Sequence, residues 1–358
     1  MNMEQTIKRI GIINAGAWGT AIAKILGDLG HSVEIWEYME DVVDEINTNH
    51  TNSRYLLGVK LADSITATSD LQQAASDKDF IILATPSLYI LDIVKQLVPV
   101  RDVMEGKPVI GILTKGFIEG PNGPVLITRA MEDYLPGFYK DGLVYISGPS
   151  HAEEVARGKL TGLISASKNG MNSIRFRNLL SGSNLMVYSS LDVAGVQTCG
   201  AVKNVIAIAY GMLDALSEVS DNFGDNTESL LLAAGLNEIQ QLGRALGSEY
   251  PETFTSIAGV GDLDVTCRSK YGRNRKFGRE IVNDRKIAPF KDAADLVNNI
   301  DKIGYLPEGA IAATYVKEIM EQYKLKLPVA EMVYKILNKE GEPLEAINDM
   351  VTKLYLHQ

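Results

Sequence analysis

The first half of this chain alternates short apolar runs with stretches of helical periodicity, and the first of those runs leads straight into a glycine turn. Arg9–Ile13 reads as a strand, and Ala17–Leu29 as a helix with Ile22, Leu26 and Leu29 at helical spacing. Ser32–Trp36 is a second strand. Phe80–Ala84, Pro108–Leu113 and Leu143–Ile146 are further strands, each followed by a turn containing Gly or Pro. Apolar strands alternating with helices predict a parallel sheet covered on both faces. Ligands of such sheets lie beyond the carboxyl ends of the strands. From about Asp192 onward the pattern becomes long and helical, strongest in Val193–Ala215, Thr227–Leu246 and Glu308–Tyr323, with Pro289 and Pro307 between segments. The expectation is an α/β domain over residues 1–191, built as a doubly wound parallel sheet, and an all-helical domain over residues 192–358.

A length of 358 residues suits two such domains. The net charge of −10 argues against broad binding to nucleic acid or anionic membrane. Cys199 and Cys267 form no CxxC pair, and His31, His50, His151 and His357 show no ligand spacing, so neither a disulfide framework nor a metal site is indicated. The polar stretch from Met1 to Ile10 lacks the apolar core of a signal peptide, and no run of about 18 apolar residues suggests a membrane span. A cytoplasmic protein without metal is expected. The charge is uneven, however. Arg268, Lys270, Arg273, Arg275, Lys276 and Arg279 form a basic island with no acid among them, leaving 29 basic against 45 acidic residues elsewhere. Such an island is either an anion site or a solvated loop.

The turn after the first strand reads Asn14-Ala15-Gly16-Ala17-Trp18-Gly19 and opens a helix. This is the Rossmann context: Gly16 lets the backbone approach a pyrophosphate, Gly19 lets helix and strand pack closely, and the phosphates rest on the helix N–H groups. Asn14 stands where the pattern has its first glycine, and Asn tolerates left-handed backbone better than most residues. The second strand ends at Glu37, 18 residues beyond Gly19, where a carboxylate can accept bonds from the adenosine ribose and repel a 2′-phosphate. Tyr38, Met39 and Glu40 follow and none is basic, so NAD is expected over NADP. A bare glycine turn and a solvated acid are the plainer alternatives.

Other strand ends carry Thr85-Pro86-Ser87, Thr114-Lys115-Gly116 and Ser147-Gly148-Pro149-Ser150. Lys115 is placed there to meet an anionic or carbonyl ligand, or is simply exposed. More informative is Gly200-Ala201-Val202-Lys203-Asn204-Val205-Ile206, where a Lys and an Asn interrupt an apolar helix. A buried ammonium is costly and its pKa tends to fall, which suits a general acid or base, whereas a Lys on a helix edge snorkels. A second polar intrusion, Gly261-Asp262-Leu263-Asp264-Val265-Thr266-Cys267, offers Asp262 and Thr266 to hold that ammonium.

Taken together, these motifs resemble the NAD(P)-dependent glycerol-3-phosphate dehydrogenases of bacterial type, from Ile10 to about Leu337. The resemblance rests on Trp18-Gly19-Thr20-Ala21, Lys115-Gly116, Gly148-Pro149-Ser150, Ala201-Val202-Lys203-Asn204-Val205, Asp225-Asn226-Thr227, Gly261-Asp262-Leu263 with Thr266-Cys267, Arg273-Asn274-Arg275 and Glu308-Gly309. It implies reduction of dihydroxyacetone phosphate to sn-glycerol 3-phosphate for glycerophospholipid synthesis, and a homodimer. By the same resemblance Lys203 is the general acid/base, with Lys115 and Asp262 beside it in the catalytic set. Gly148, Ser150, Asn204, Thr266, Arg273 and Asn274 are substrate contacts, Arg273 and Asn274 as the phosphate clamp. The cofactor contacts are Asn14, Gly16, Ala17, Trp18, Gly19, Glu37, Tyr55, Pro86, Lys115, Ala152, Arg273, Leu306 and Glu308.

The chain departs from the pattern at Asn14, at Gly272 where a Ser commonly stands, at His151 in place of Phe, at Ala233-Ala234-Gly235 where an Arg is missing, and in a longer loop between Asp214 and Asn226. Two alternatives stand beside the resemblance: a related two-domain hydroxyacid or sugar-nucleotide dehydrogenase of similar architecture, which gives no reason for Arg273-Asn274, and a catalytically silent nucleotide-binding paralogue, which the Asn14, Gly272 and Ala234 departures would favour. The intact Lys203, Asn204 and Asp262 argue against the silent form.

Overall fold

Short, almost wholly apolar strands form the centre of the first half because both of their faces are buried. In the computed structural model, which describes residues 6–182, 184–269 and 271–356, ten strands occur in chain order. They are β1 (Arg9–Ile13), β2 (Ser32–Trp36), β3 (Ile65–Thr68), β4 (Phe80–Leu83), β5 (Val109–Ile112), β6 (Phe117–Gly120), β7 (Gly123–Leu126), β8 (Val144–Ser147), β9 (Thr161–Ala166) and β10 (Leu185–Ser190). Eight of them make one sheet in the order β10-β9-β8-β5-β4-β1-β2-β3, and β6 pairs with β7. Every residue of β4, β5 and β8 is buried.

The pairs β1–β2, β1–β4, β2–β3, β4–β5 and β5–β8 are parallel. The strand order turns back on itself between β1 and β4, which is where an α/β sheet of this kind opens its ligand crevice. The five expected strands are all present within a residue or two. Five more were missed: β3 and β10 are edge strands with alternating buried and exposed residues, β9 runs antiparallel to β8, and β6 and β7 form the separate pair. The sheet is therefore dominated by parallel pairs rather than wholly parallel.

Two compact units divide the chain. The first runs to Ile118 and resumes over Ile127–Val193. The second takes in Glu119–Leu126 and everything from Ala194. The Glu119–Leu126 excursion lies inside the stretch assigned by sequence to the first domain. Its strand β7 packs against the helix Glu308–Tyr323 of the second unit.

The second unit is helical around one central helix, Val193–Ser217. By length and a mean hydropathy of 1.3 this helix could cross a membrane, a property the sequence reading did not credit to any segment, yet that apolar stretch is entirely buried inside the protein. Its neighbours come unusually close. A Cβ on Gly309, in helix Glu308–Tyr323, would lie 2.3 Å from the Asn204 carbonyl oxygen, and one on Gly278, in helix Arg273–Asn283, would lie 2.1 Å from that of Ile208. Only glycine permits backbone contact at these crossings, and they fall at Asn204 and one turn beyond it on the central helix.

Candidate active site

In the first unit the glycine turn is held by side chains on every side. The Ala15 carbonyl accepts from Thr20 Oγ1 at 2.8 Å and from Asn52 Nδ2 at 2.8 Å. Asn14 Oδ1 accepts the Gly16 N–H at 3.1 Å, while Asn14 itself adopts φ 92°. Glu37 stands at the end of β2 as expected, but its carboxylate is completely buried. It accepts from Ala15 N at 3.1 Å, Met39 N at 3.3 Å and Asn14 Nδ2 at 3.5 Å. Burial holds its carboxyl above the usual carboxylate range, against the opposing pull of those N–H donors. The carboxylate expected to meet the adenosine ribose thus bonds back to the turn itself.

The other strand ends place Pro86 at the start of the short 3₁₀ turn Ser87–Tyr89. Lys115 is half-buried just past β5, between Thr114, whose hydroxyl donates to the Thr85 carbonyl at 2.6 Å, and Gly116 at φ 133°. Beyond β8, Gly148 adopts φ 132° and its carbonyl accepts from Ser150 Oγ at 2.7 Å. His151 precedes the first residue of the helix Ala152–Ala156, whose Ala152 is buried. Tyr55 is half-buried next to Asn52, whose Oδ1 accepts its N–H at 3.4 Å.

The second unit gathers its polar residues around Lys203. This side chain is 6% exposed and is hydrogen-bonded and ion-paired to Asp262, which is completely buried. The pair rules out a snorkelling Lys. Asp262 begins the helix Asp262–Arg268 directly after the π-helical turn Ile257–Gly261, a feature that often re-aims a side chain at functional sites. Thr266 donates its hydroxyl to the Asp262 carbonyl at 2.6 Å and so braces the carboxylate's own backbone. A chain of amides lies alongside. Asn274 Nδ2 donates to Asn204 Oδ1 at 3.0 Å, and the Gly309 N–H donates to Asn274 Oδ1 at 2.8 Å. The Asn204 oxygen is therefore used, which leaves its Nδ2 as the donor that faces other partners.

The basic island is largely neutralised. Arg268 pairs with Asp264 at 2.8 Å, Arg275 with Asp214, Lys276 with Glu280 at 3.6 Å, and Arg279 with Glu218 at 2.6 Å. Lys270 lies outside the described residues. Arg273 is exposed and makes no ion pair among the described residues. It is the first residue of Arg273–Asn283, a helix with no acidic residue in its first turn and with Gly272 at its N-cap. A Ser at position 272 would bring a hydroxyl that competes for the first N–H groups. Glycine leaves them open.

Comparison with known proteins matches the same two halves. The N-terminal family model of NAD-dependent glycerol-3-phosphate dehydrogenase covers residues 9–173, and the C-terminal one residues 192–348. The chain is similar to glycerol-3-phosphate dehydrogenase [NAD(P)+] of Treponema denticola, with 55% identity over 96% of this chain and 98% of the relative. The chain belongs to the NAD-dependent glycerol-3-phosphate dehydrogenase family. It is 34% identical to the Bacillus subtilis enzyme of the same name, over 98% of this chain and 96% of that one. A solved structure of glycerol-3-phosphate dehydrogenase from Coxiella burnetii superposes with a TM-score of 0.83 at 30% identity, over 96% of this chain and 99% of that chain.

As a family member the protein is an oxidoreductase that uses NAD or NADP. The first unit fits such a dinucleotide. Helix Ala17–Asp28 starts at Gly16 with no side-chain cap and no acid in its first turn, so its leading N–H groups are left for an anion. A Cβ on Gly19 would lie 2.2 Å from the Asn14 carbonyl oxygen, so the tight packing of turn on helix requires glycine. Trp18 packs against the hydrophobic core beside it. In the second unit Leu306 and Glu308 are half-buried around Pro307, which precedes helix Glu308–Tyr323. Sequence reasoning gave no site role to two of the residues that order these clusters. Asn52 reaches the turn from 37 residues away, and Gly309 enters the site through its backbone.

Proposed function

We propose that this chain reduces dihydroxyacetone phosphate to sn-glycerol 3-phosphate with a nicotinamide dinucleotide, NADH in preference to NADPH. The observation that carries this reading is the buried Lys203–Asp262 pair, in the same unit as the Arg273 guanidinium, which forms no ion pair among the described residues. The nicotinamide, when bound, supplies the hydride that the ketone carbon accepts. Lys203 Nζ delivers a proton to the ketone oxygen as it becomes an alkoxide, so that one hydride and one proton complete the alcohol. Asp262 holds the ammonium in place, with Thr266 bracing it. The Asn204 amide N–H, freed by the Asn274 bond, donates to the same oxygen. Arg273 grips the phosphate with a planar fork, aided by the open helix start and by Asn274. Lys115, Gly148 and Ser150 complete the substrate contacts. Asn14, Gly16, Ala17, Trp18, Gly19, Tyr55, Pro86, Ala152, Leu306 and Glu308 serve the dinucleotide.

The preference for NADH rests on charge. Arg54 lies close enough to Glu37 to act on its carboxyl, but it is paired with Asp41 at 3.1 Å, and Tyr38 and Met39 offer no cation to a 2′-phosphate. Purified protein mixed with dihydroxyacetone phosphate and either cofactor tests both statements through the loss of nicotinamide absorbance. Turnover is expected with a higher kcat/KM for NADH. No turnover with either cofactor overturns the activity, and a higher kcat/KM with NADPH overturns the preference.

A further inference from the structure

We infer that Glu37 is a positioning residue for the dinucleotide turn, the group that lets Asn14 occupy a backbone conformation otherwise suited to glycine. The inference rests on the cofactor reading of the turn given above. Asn14 is the outlier of the backbone. The other described non-glycine residues with positive φ (His50, Asp77, Asp141, Arg285, Lys324 and Lys339) lie between 49° and 59°, inside the left-handed helical well. Asn14 lies at 92°, outside it, where a side chain is strained. Something must hold it there.

Two bonds engage the Asn14 amide. Its oxygen accepts the Gly16 N–H at 3.1 Å, and its nitrogen faces Glu37 Oε2 at 3.5 Å. The same Oε2 accepts the Ala15 N–H at 3.1 Å, and Oε1 accepts that of Met39 at 3.3 Å. One carboxylate therefore ties the residue before Gly16 and the amide of Asn14 to the chain that leaves β2. Glu37 is completely buried and forms no ion pair among the described residues. A buried carboxyl with no cation in ion-pair contact is destabilising by itself. Its presence beneath the turn is accounted for by what it holds.

Asn52 and Thr20 grip the Ala15 carbonyl from the other side, so the peptide on which the turn pivots is fixed at both its N–H and its C=O. A carboxylate facing the ribose would need at least one oxygen exposed. Glu37 has none.

The inference predicts a specific coupling. If Glu37 acts through Asn14, its removal should matter only while residue 14 carries a side chain. The experiment titrates NADH into the purified protein and follows fluorescence to obtain Kd, with Tm measured alongside, for the wild type, Glu37→Ala, Glu37→Gln, and each of these combined with Asn14→Gly. Glu37→Ala is expected to weaken NADH binding by about tenfold, and adding Asn14→Gly to recover most of that loss, a coupling of ordinary size for groups in contact. Glu37→Gln keeps one accepting oxygen and the side-chain volume. It provides a folded protein if the alanine variant is unstable, and its smaller loss should be recovered in the same way. Equal loss with Asn or Gly at position 14 would overturn the inference. So would a loss confined to NADH that disappears with an analogue lacking the ribose 2′-hydroxyl, because that is the signature of direct contact. Failure of the wild type to bind either NADH or NADPH would instead overturn the cofactor reading itself, so the two failures are distinguishable.

Discussion

The turn beneath β1 and the ring around Lys203 are both polar clusters set in apolar surroundings, but they are built from different parts. In the first unit the groups offered to a ligand are backbone N–H donors, and the side chains of Glu37, Asn52 and Thr20 serve to hold the backbone. In the second unit the offered groups are side chains, the Lys203 ammonium and the Asn204 amide, and the backbone serves to hold them through close helix crossings at Gly309 and Gly278. A site made of backbone is defined by conformation, so the chain can change a residue type and restore the geometry elsewhere, as Asn14 with Glu37 does. A site made of side chains is defined by identity, and no neighbour can replace the proton that Lys203 carries.

That difference is broken or sharpened first at Lys203. Lys203→Met keeps much of the volume and removes the proton. Turnover of dihydroxyacetone phosphate should fall by about 10²–10⁴-fold, the usual range for a positioned acid or base. NADH binding, measured by fluorescence titration, should stay within about threefold of wild type, since Lys203 is not among the residues assigned to the dinucleotide. A variant that turned over near the wild-type rate would remove Lys203 from the chemistry.

A smaller effect is expected at Arg273, where the two kinds of construction meet: a charged side chain at an open helix start. Arg273→Ala removes the fork but leaves the N–H groups above Gly272. The KM for dihydroxyacetone phosphate should rise by about 10- to 100-fold, as expected for loss of a charge-assisted hydrogen bond of about 1.5–3 kcal/mol, while kcat changes much less. A grip on phosphate is shared by ground and transition states, whereas a drop confined to kcat would place Arg273 in the chemical step instead.

The same contrast explains how far the sequence could be read. The Lys203 ring was legible because a Lys, an Asn and an Asp inside apolar helices violate the surrounding pattern. The turn was legible as spacing, strand then glycines then helix. The direction of Glu37 was not legible, because an acid at a strand end has the same sequence whether it faces a ligand or folds back onto N–H groups. The basic island left two readings open for a related reason. Its neutralising partners Asp214 and Glu218 come from a helix and loop more than fifty residues earlier, and only their removal from the count isolates Arg273. The antiparallel β9 escaped notice because strand direction leaves no mark on a short apolar run.

Glu238 is the control for this argument, a buried carboxylate remote from any ligand chemistry. It lies in helix Asp225–Ala245 and is 2% exposed. Its two oxygens accept the N–H groups of Val329 at 2.6 Å and Ala330 at 2.9 Å, at the start of helix Pro328–Leu337. Burial pushes its carboxyl up to about 8, outweighing those donors. A raised carboxyl pKa means that the folded protein binds the proton more tightly than the unfolded chain. The stabilisation is complete below the ordinary pKa of 4.5 and is lost as pH rises through about 8. Between about pH 6 and about pH 9 the protein should lose on the order of 2–3 kcal/mol of stability from this one group. Thermal or urea unfolding across that range reads the loss directly. Glu238→Gln cannot ionise and should flatten the decline while leaving the KM for both substrates within about twofold, as for a substitution that touches neither ligand. An unchanged slope would show that Glu238 is ionised throughout and that the helix start, like the N–H groups around Glu37, is enough to hold a buried charge.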